Sequence, residues 1–99
     1  MEEQIRFRAE LLGIECITLE ESLLYQQSPL VNHTIWNMRE YGEDVPYTCF
    51  ADNIESSIRA TVQSYQVPFE PFAIYQEPIR HQPGGDAYWF CRVHLYTKK

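Results

Sequence analysis

The chain predicts a small α+β domain, with helices packed on one face of a three-stranded, largely antiparallel sheet. Three observations carry that expectation. Residues 87–97, within the run GGDAYWFCRVHLYTK, alternate between an apolar set and a mixed aromatic and polar set, the two-residue period of a strand. Gln82-Pro-Gly-Gly-Asp86, just before it, is dense in turn formers and joins it to the apolar run Phe72–Ile79 as a carboxy-terminal β-hairpin. Between residues 18 and 65, helix-start signals recur, followed by apolar residues at three- and four-residue spacing. The predicted order is β-α-α-α-β-β, with residues 1–99 forming a single compact domain.

The first strand is expected over residues 5–17. Ile5, Phe7, Ala9 and Leu11 alternate with Arg6, Arg8 and Glu10 until the phase slips at Leu12-Gly13, where glycine marks a bulge or kink. Thr18 and Glu21 form a capping box, in which each side chain bonds the other's backbone N–H, and start a helix over 19–27 with Leu19, Leu23 and Leu24 facing inward. Ser28-Pro29 reads as a second helix start, serine as cap and proline in the first turn. Val31, Ile35 and Met38 recur at helical spacing and Gly42 ends the element. Trp36 falls at the edge of that stripe, and His33 on its solvated side.

Residues 43–51 predict a loop, and Asp52 caps a third helix with Ala51, Ile54, Ile58, Val62 and Tyr65 as its buried stripe. Pro68 and Pro71 stop it. With the hairpin centred on Gly84-Gly85, Ile74 faces Leu95, Tyr75 faces His94, Gln76 faces Val93 and Glu77 faces Arg92. Pro78 has no N–H to give a ladder, so it belongs to an edge or a bulge. The amino-terminal strand is expected to lie beside the last one.

A net charge of −6 opposes general binding to duplex DNA, whose affinity comes from neutralising phosphates. No apolar run is long enough to cross a membrane, and the acidic opening Met1-Glu-Glu-Gln lacks the pattern of a secretory signal. Cys16, Cys49 and Cys91 are odd in number and widely spaced, which predicts reduced thiols and a cytoplasmic setting.

One face of the last strand is unusual. Trp89, Cys91, Val93 and Leu95 make an ordinary core face, whereas Tyr88, Phe90, Arg92, His94 and Tyr96 place aromatics among cations. With the helices on one side, this second face would be open together with Arg6, Arg8 and Glu10, and with Ala73, Tyr75, Glu77 and Ile79. The plainest account is ordinary cross-strand pairing, Glu77 with Arg92 and Tyr75 with His94, under a covering loop. An interaction surface is the expected role: Arg6, Arg8, Tyr75, Tyr88, Phe90, Arg92, His94 and Tyr96 have the composition of interface hot spots. The partner is another protein, engaged as an inhibitor or adaptor would, or a second copy in a homodimer. Size and acidity fit the small inhibitors of phages and mobile elements, and the acidic helical side would suit a basic patch on a nucleic-acid-handling protein. The alternative is a nucleotide-like anion or a short single strand, stacked on the rings and held by the arginines.

Catalysis is not expected. His33, His81 and His94 show no HExxH or HxxxH spacing, so neither a zinc site nor any other metal or cofactor is predicted. His81 falls in the hairpin turn. Cys91 and His94 lie on opposite faces of one strand and cannot act together, and Cys49 has no histidine placed near it.

Overall fold

Tyr88–Lys98 is the strand around which the molecule is organised. The computed structural model describes residues 9, 12–45, 47–64 and 70–99, and these form a mixed α/β fold of two helices and a five-stranded sheet. In chain order the elements are β1 (Glu15–Cys16), α1 (Leu19–Gln26), β2 (Val31–Tyr41), α2 (Tyr47–Ser64), β3 (Pro71–Gln76), β4 (Arg80–Gln82) and β5 (Tyr88–Lys98). β2 pairs antiparallel with one side of β5 over its whole length. β3 and β4 pair in succession with the other side, and the two-residue β1 runs parallel to β3. Among the described residues the long order is therefore β1-β3-β5-β2, with β2 at an edge.

The hairpin has the predicted register. Ile74 faces Leu95, Tyr75 faces His94 and Gln76 faces Val93, and the Glu77 N–H donates to the Arg92 carbonyl at 2.9 Å. From Gln76 to Arg80 the outer strand advances four residues while β5 advances three, from Val93 to Phe90. That extra residue is a bulge at the Pro78 position, where proline's missing donor costs no ladder bond. It also reverses the phase. Ile79, expected on the open face, packs against the core instead, and Arg80 takes its place opposite Phe90. His81, expected in the turn, lies in β4 opposite Trp89.

The sheet has five strands and not the expected three, and four further expectations are corrected. The segment predicted as a second helix is the strand β2. Ser28-Pro29 does supply a serine oxygen to a following amide, since Leu30 N–H donates to Ser28 Oγ at 3.3 Å. The same bond serves a turn leading into a strand as well as a helix cap. Val31, Thr34, Ile35, Trp36 and Tyr41 then favour the extended chain. α2 begins at Tyr47 rather than at Asp52, because Phe50 extends the stripe of Ile54 and Ile58 by one turn. Among the described residues the first strand covers only Glu15–Cys16, preceded by a left-handed Gly13 (φ 77°) at the expected phase slip. It lies beside β3, not β5. Residues 5–8, 10 and 11 of that expected strand lie outside the described residues.

The fourth correction governs the site. The two helices occupy opposite faces of the sheet. Phe50, Ala51, Ile54 and Ile58 of α2 form one core with Ile74, Cys91, Val93 and Leu95, flanked by Trp36, Met38 and Trp89. Each large aliphatic or aromatic side chain buried there contributes about 1.5–3 kcal/mol. α1 covers part of the other face, where Ile17, Ala73 and Tyr96 form a second cluster with Tyr25, Val31, Phe72 and Tyr75. The Thr18 capping box starts α1 as expected: Glu21 N–H donates to Thr18 Oγ1 at 3.2 Å and Thr18 N–H to Glu21 Oε1 at 3.4 Å. The helix is turned the other way round, however. Ser22 and Tyr25 face the sheet, while Leu19, Leu23 and Leu24 are exposed.

Candidate functional site

The face of β5 that carries Tyr88, Phe90, Arg92, His94 and Tyr96 is closed at one end and open at the other. At the closed end Tyr96 is 0% exposed under α1. Its hydroxyl donates to the Ser22 carbonyl at 3.2 Å, accepts from Gln26 Nε2 at 3.1 Å and is hydrogen-bonded to Ser22 Oγ. A phenol brought this deep by strand alternation needs polar partners. That requirement is why α1 presents a serine, and not a leucine, to the sheet. Tyr25 packs on both Tyr96 and Phe72, with ring centroids 5.5 and 5.3 Å apart.

The middle of the face is a polar chain. His94, buried, lies between Glu77 and His33: Nε2 is 2.6 Å from Glu77 Oε2, and Nδ1 is 2.8 Å from His33 Nε2. An ionised carboxylate only accepts, so His94 Nε2 carries hydrogen. In a neutral His94 its Nδ1 accepts in turn from His33 Nε2–H. The His33 ring also lies parallel to Tyr96, with centroids 4.9 Å apart. Burial, and then the neighbouring His94, hold the His33 pKa below its ordinary value of 6.5. Glu77, whose side chain is 18% exposed, also pairs with Arg92 at 3.6 Å and Arg80 at 3.3 Å.

At the open end the register sets three strands side by side: Asn37, Arg39 and Tyr41 of β2, Arg92, Phe90 and Tyr88 of β5, and Arg80 and Gln82 of β4. Arg39 lies over the Tyr88 ring at 4.4 Å and Arg80 over Phe90 at 5.2 Å. Hydrogen bonding to Tyr41 raises the Arg39 pKa, so the guanidinium stays charged. Tyr41 and Ile35 are exposed, and the Arg92 side chain is 46% exposed. With Lys98 over Phe72, four of the six described cations stand on this one face of a chain whose net charge is −6.

Of the residues singled out from sequence, Tyr88, Phe90 and Arg92 come together at the open end. Tyr75 and His94 lie at the polar middle, with ring centroids 5.6 Å apart. Tyr96 is removed from the surface by the molecule's own helix, contrary to expectation. Arg6 and Arg8 lie outside the described residues. His33, Arg39, Tyr41 and Arg80 were not assigned to this face. The first three alternate along Val31–Tyr41, and reading that segment as a strand would have found them; Arg80 was hidden by the bulge.

The remaining nucleophile candidates are poorly placed. Cys91 is fully buried, with its thiol directed to the Glu77 carbonyl at 3.5 Å. Cys49 lies in the first turn of α2, and burial followed by Glu40 pushes its thiol pKa up, away from the reactive thiolate. Among the described residues no group of three histidine, cysteine or carboxylate side chains is arranged to hold a metal ion, and no helix is long and apolar enough to cross a membrane. A cavity of about 340 Å³ lies on the α2 side of the sheet, lined by Leu12, Ile14, Ile58, Arg59 and Pro71, away from the arginine face. No family model matches the chain, and no similar curated protein or solved structure is found.

Proposed function

We propose that the chain is a non-enzymatic interaction protein, acting as an inhibitor or adaptor, that docks another protein on the open end of its sheet. The carrying observation is the concentration of Arg39, Arg80 and Arg92 with Tyr41, Tyr88 and Phe90 on one exposed surface of an acidic chain. Rings and guanidiniums bring large contact area at small entropic cost, and the cation–π pairs hold them in place before binding. The partner surface would carry carboxylates to meet the three guanidiniums. Such complementarity speeds encounter and selects partners.

The alternative, a nucleotide-like anion or short single strand, is less well supported. Arg39 and Arg80 already lie over Tyr88 and Phe90, so a base would have to displace them before stacking.

A photo-crosslinking residue at Gln82, exposed and facing Tyr88 on this surface, tests the proposal in the native host. A protein adduct of discrete mass is expected, lost in an Arg39→Glu/Arg92→Glu chain that still unfolds cooperatively. Absence of an adduct, or an adduct indifferent to the charge reversal, would overturn the proposal. Saturable binding of a short oligonucleotide, abolished by the same reversal and without a protein adduct, would establish the second reading instead.

A further inference from the structure

We infer that β2 is a self-pairing edge, through which two copies of this chain join their sheets into one. β2 pairs with β5 at every position from Val31 to Tyr41, and among the described residues no strand lies on its other side. An eleven-residue strand is about 37 Å long. Natural edges of this length carry a proline, a bulge or repeated charge to prevent pairing with other chains. β2 has no proline, its pairing with β5 runs without a register shift, and its only charged residues are Arg39 and Glu40.

The occupant most compatible with this edge is the same strand. The midpoint of Val31–Tyr41 is Trp36, so a two-fold axis there uses the whole length. It sets Val31 against Tyr41, Asn32 against Glu40, His33 against Arg39, Thr34 against Met38 and Ile35 against Asn37. Glu40 never meets Glu40 and Arg39 never meets Arg39, so no like-charged carboxylates or guanidiniums face each other across the ladder. Each facing pair also shares a face of the sheet, so both copies keep α1 on one side and α2 on the other.

Apolar exposure points to the same flank. Tyr25 leans from α1 toward Phe72 on the β3 side. At 100° per residue, Leu19 and Leu23 project from the opposite flank of the helix, toward β2. They are 52% and 48% exposed, and Ile35, at the middle of β2 on the same face, is 45% exposed. Homodimer interfaces are more apolar than interfaces with transient partners. The arginine face lacks this aliphatic character, so the two surfaces have different occupants. Pairing would also join two arginine faces into one continuous surface.

Solution mass and backbone hydrogen exchange of the full chain test the inference. A particle of twice the chain mass is expected, converted by Ile35→Lys to a folded particle of half that mass. Amide protection along β2 should be continuous in the native chain and alternate with a two-residue period in the variant. A native chain of single mass with alternating protection would overturn the inference. So would a double-mass particle that survives Ile35→Lys. Should that variant fail to fold, the Ile35→Cys/Asn37→Cys chain decides by whether it forms an interchain disulfide under mild oxidation; failure to cross-link would also overturn the inference. Arg92→Glu is expected to leave the dimer intact, and Ile35→Lys to leave the Gln82 cross-link to the partner protein, so this inference and the proposed function fail separately.

Discussion

Tyr96 and Phe90 lie on the same face of the same strand, six residues apart, yet one is sealed beneath α1 and the other is partly open under Arg80. At the Tyr96 end the sheet is completed from within the chain, by a short helix whose serine and glutamine satisfy the phenol. At the Phe90 end no helix among the described residues covers the face, and its rings lie beneath Arg39 and Arg80 and beside Tyr41. The contrast teaches that an aromatic strand face is not a binding site in itself. It is available as one only where the chain's own helices stop covering it, and here the boundary runs through Glu77, which holds His94 on one side and Arg92 and Arg80 on the other.

The strongest way to break this comparison is to truncate both rings. Tyr96→Ala empties a fully buried site and releases the polar partners on α1. A loss of about 3–5 kcal/mol is expected in urea unfolding, the usual cost of removing a large core side chain. Phe90→Ala, at the partly open end, is expected to cost about 1 kcal/mol or less, as surface changes usually do. Tyr96→Phe separates the two contributions at the closed end: it keeps the ring but leaves Ser22 and Gln26 without the hydroxyl, a loss of about 1–3 kcal/mol. Equal losses for the two alanine variants would show that the ends do not differ.

Glu77→Gln addresses the boundary. The amide keeps the shape and can still accept from His94, but the charge shared with two arginines is lost. Hydrogen bonds to charged groups contribute roughly 1.5–3 kcal/mol, and both arginines are well exposed, so a stability loss of about 1–2 kcal/mol is expected by denaturant titration. Partner binding should weaken as well, because Arg80 and Arg92 are then free to leave their positions. Unchanged binding with unchanged stability would show that the carboxylate does not organise the open end.

How much of this was legible in the sequence depends on the range of the signal. The hairpin register could be read because turn chemistry and alternation agree over two adjacent strands, and the Pro78 bulge because proline lacks a donor. The α2 stripe and the Thr18 capping box are equally local. β2 was misread because Ser28-Pro29 makes the same first bond before a strand as before a helix, and because apolar residues stand on both of its faces, Ile35 and Tyr41 on the exposed one and Trp36 and Met38 on the half-buried one, which blurs its alternation. The orientation of α1 was illegible for a long-range reason. Three leucines outweigh one serine in any local count, and only the Tyr96 hydroxyl, 74 residues away, makes the serine face inward. Hence the open face was recognised as unusual, while the position of its covered end was not.

The smallest expected effect concerns the proton inventory of the closed end. Burial and His94 disfavour the His33 imidazolium, so the folded chain holds that proton less tightly than the unfolded chain, whose histidine titrates near 6.5. Between the lowered folded value and 6.5, the unfolded state binds more protons, and stability rises with pH across that window. The contribution of neutral His33 is thus present above pH 6.5 and is lost as the pH falls below it. Urea midpoints measured from neutral pH down to about pH 5 should decline more steeply for the native chain than for His33→Gln, which has no imidazole to protonate. Tyr96→Ala, which removes the ring beside His33 and loosens α1, should flatten the same slope by returning His33 to water. A native slope indistinguishable from that of His33→Gln would show that the imidazole titrates alike in both states, and would detach His33 from the closed end of the face.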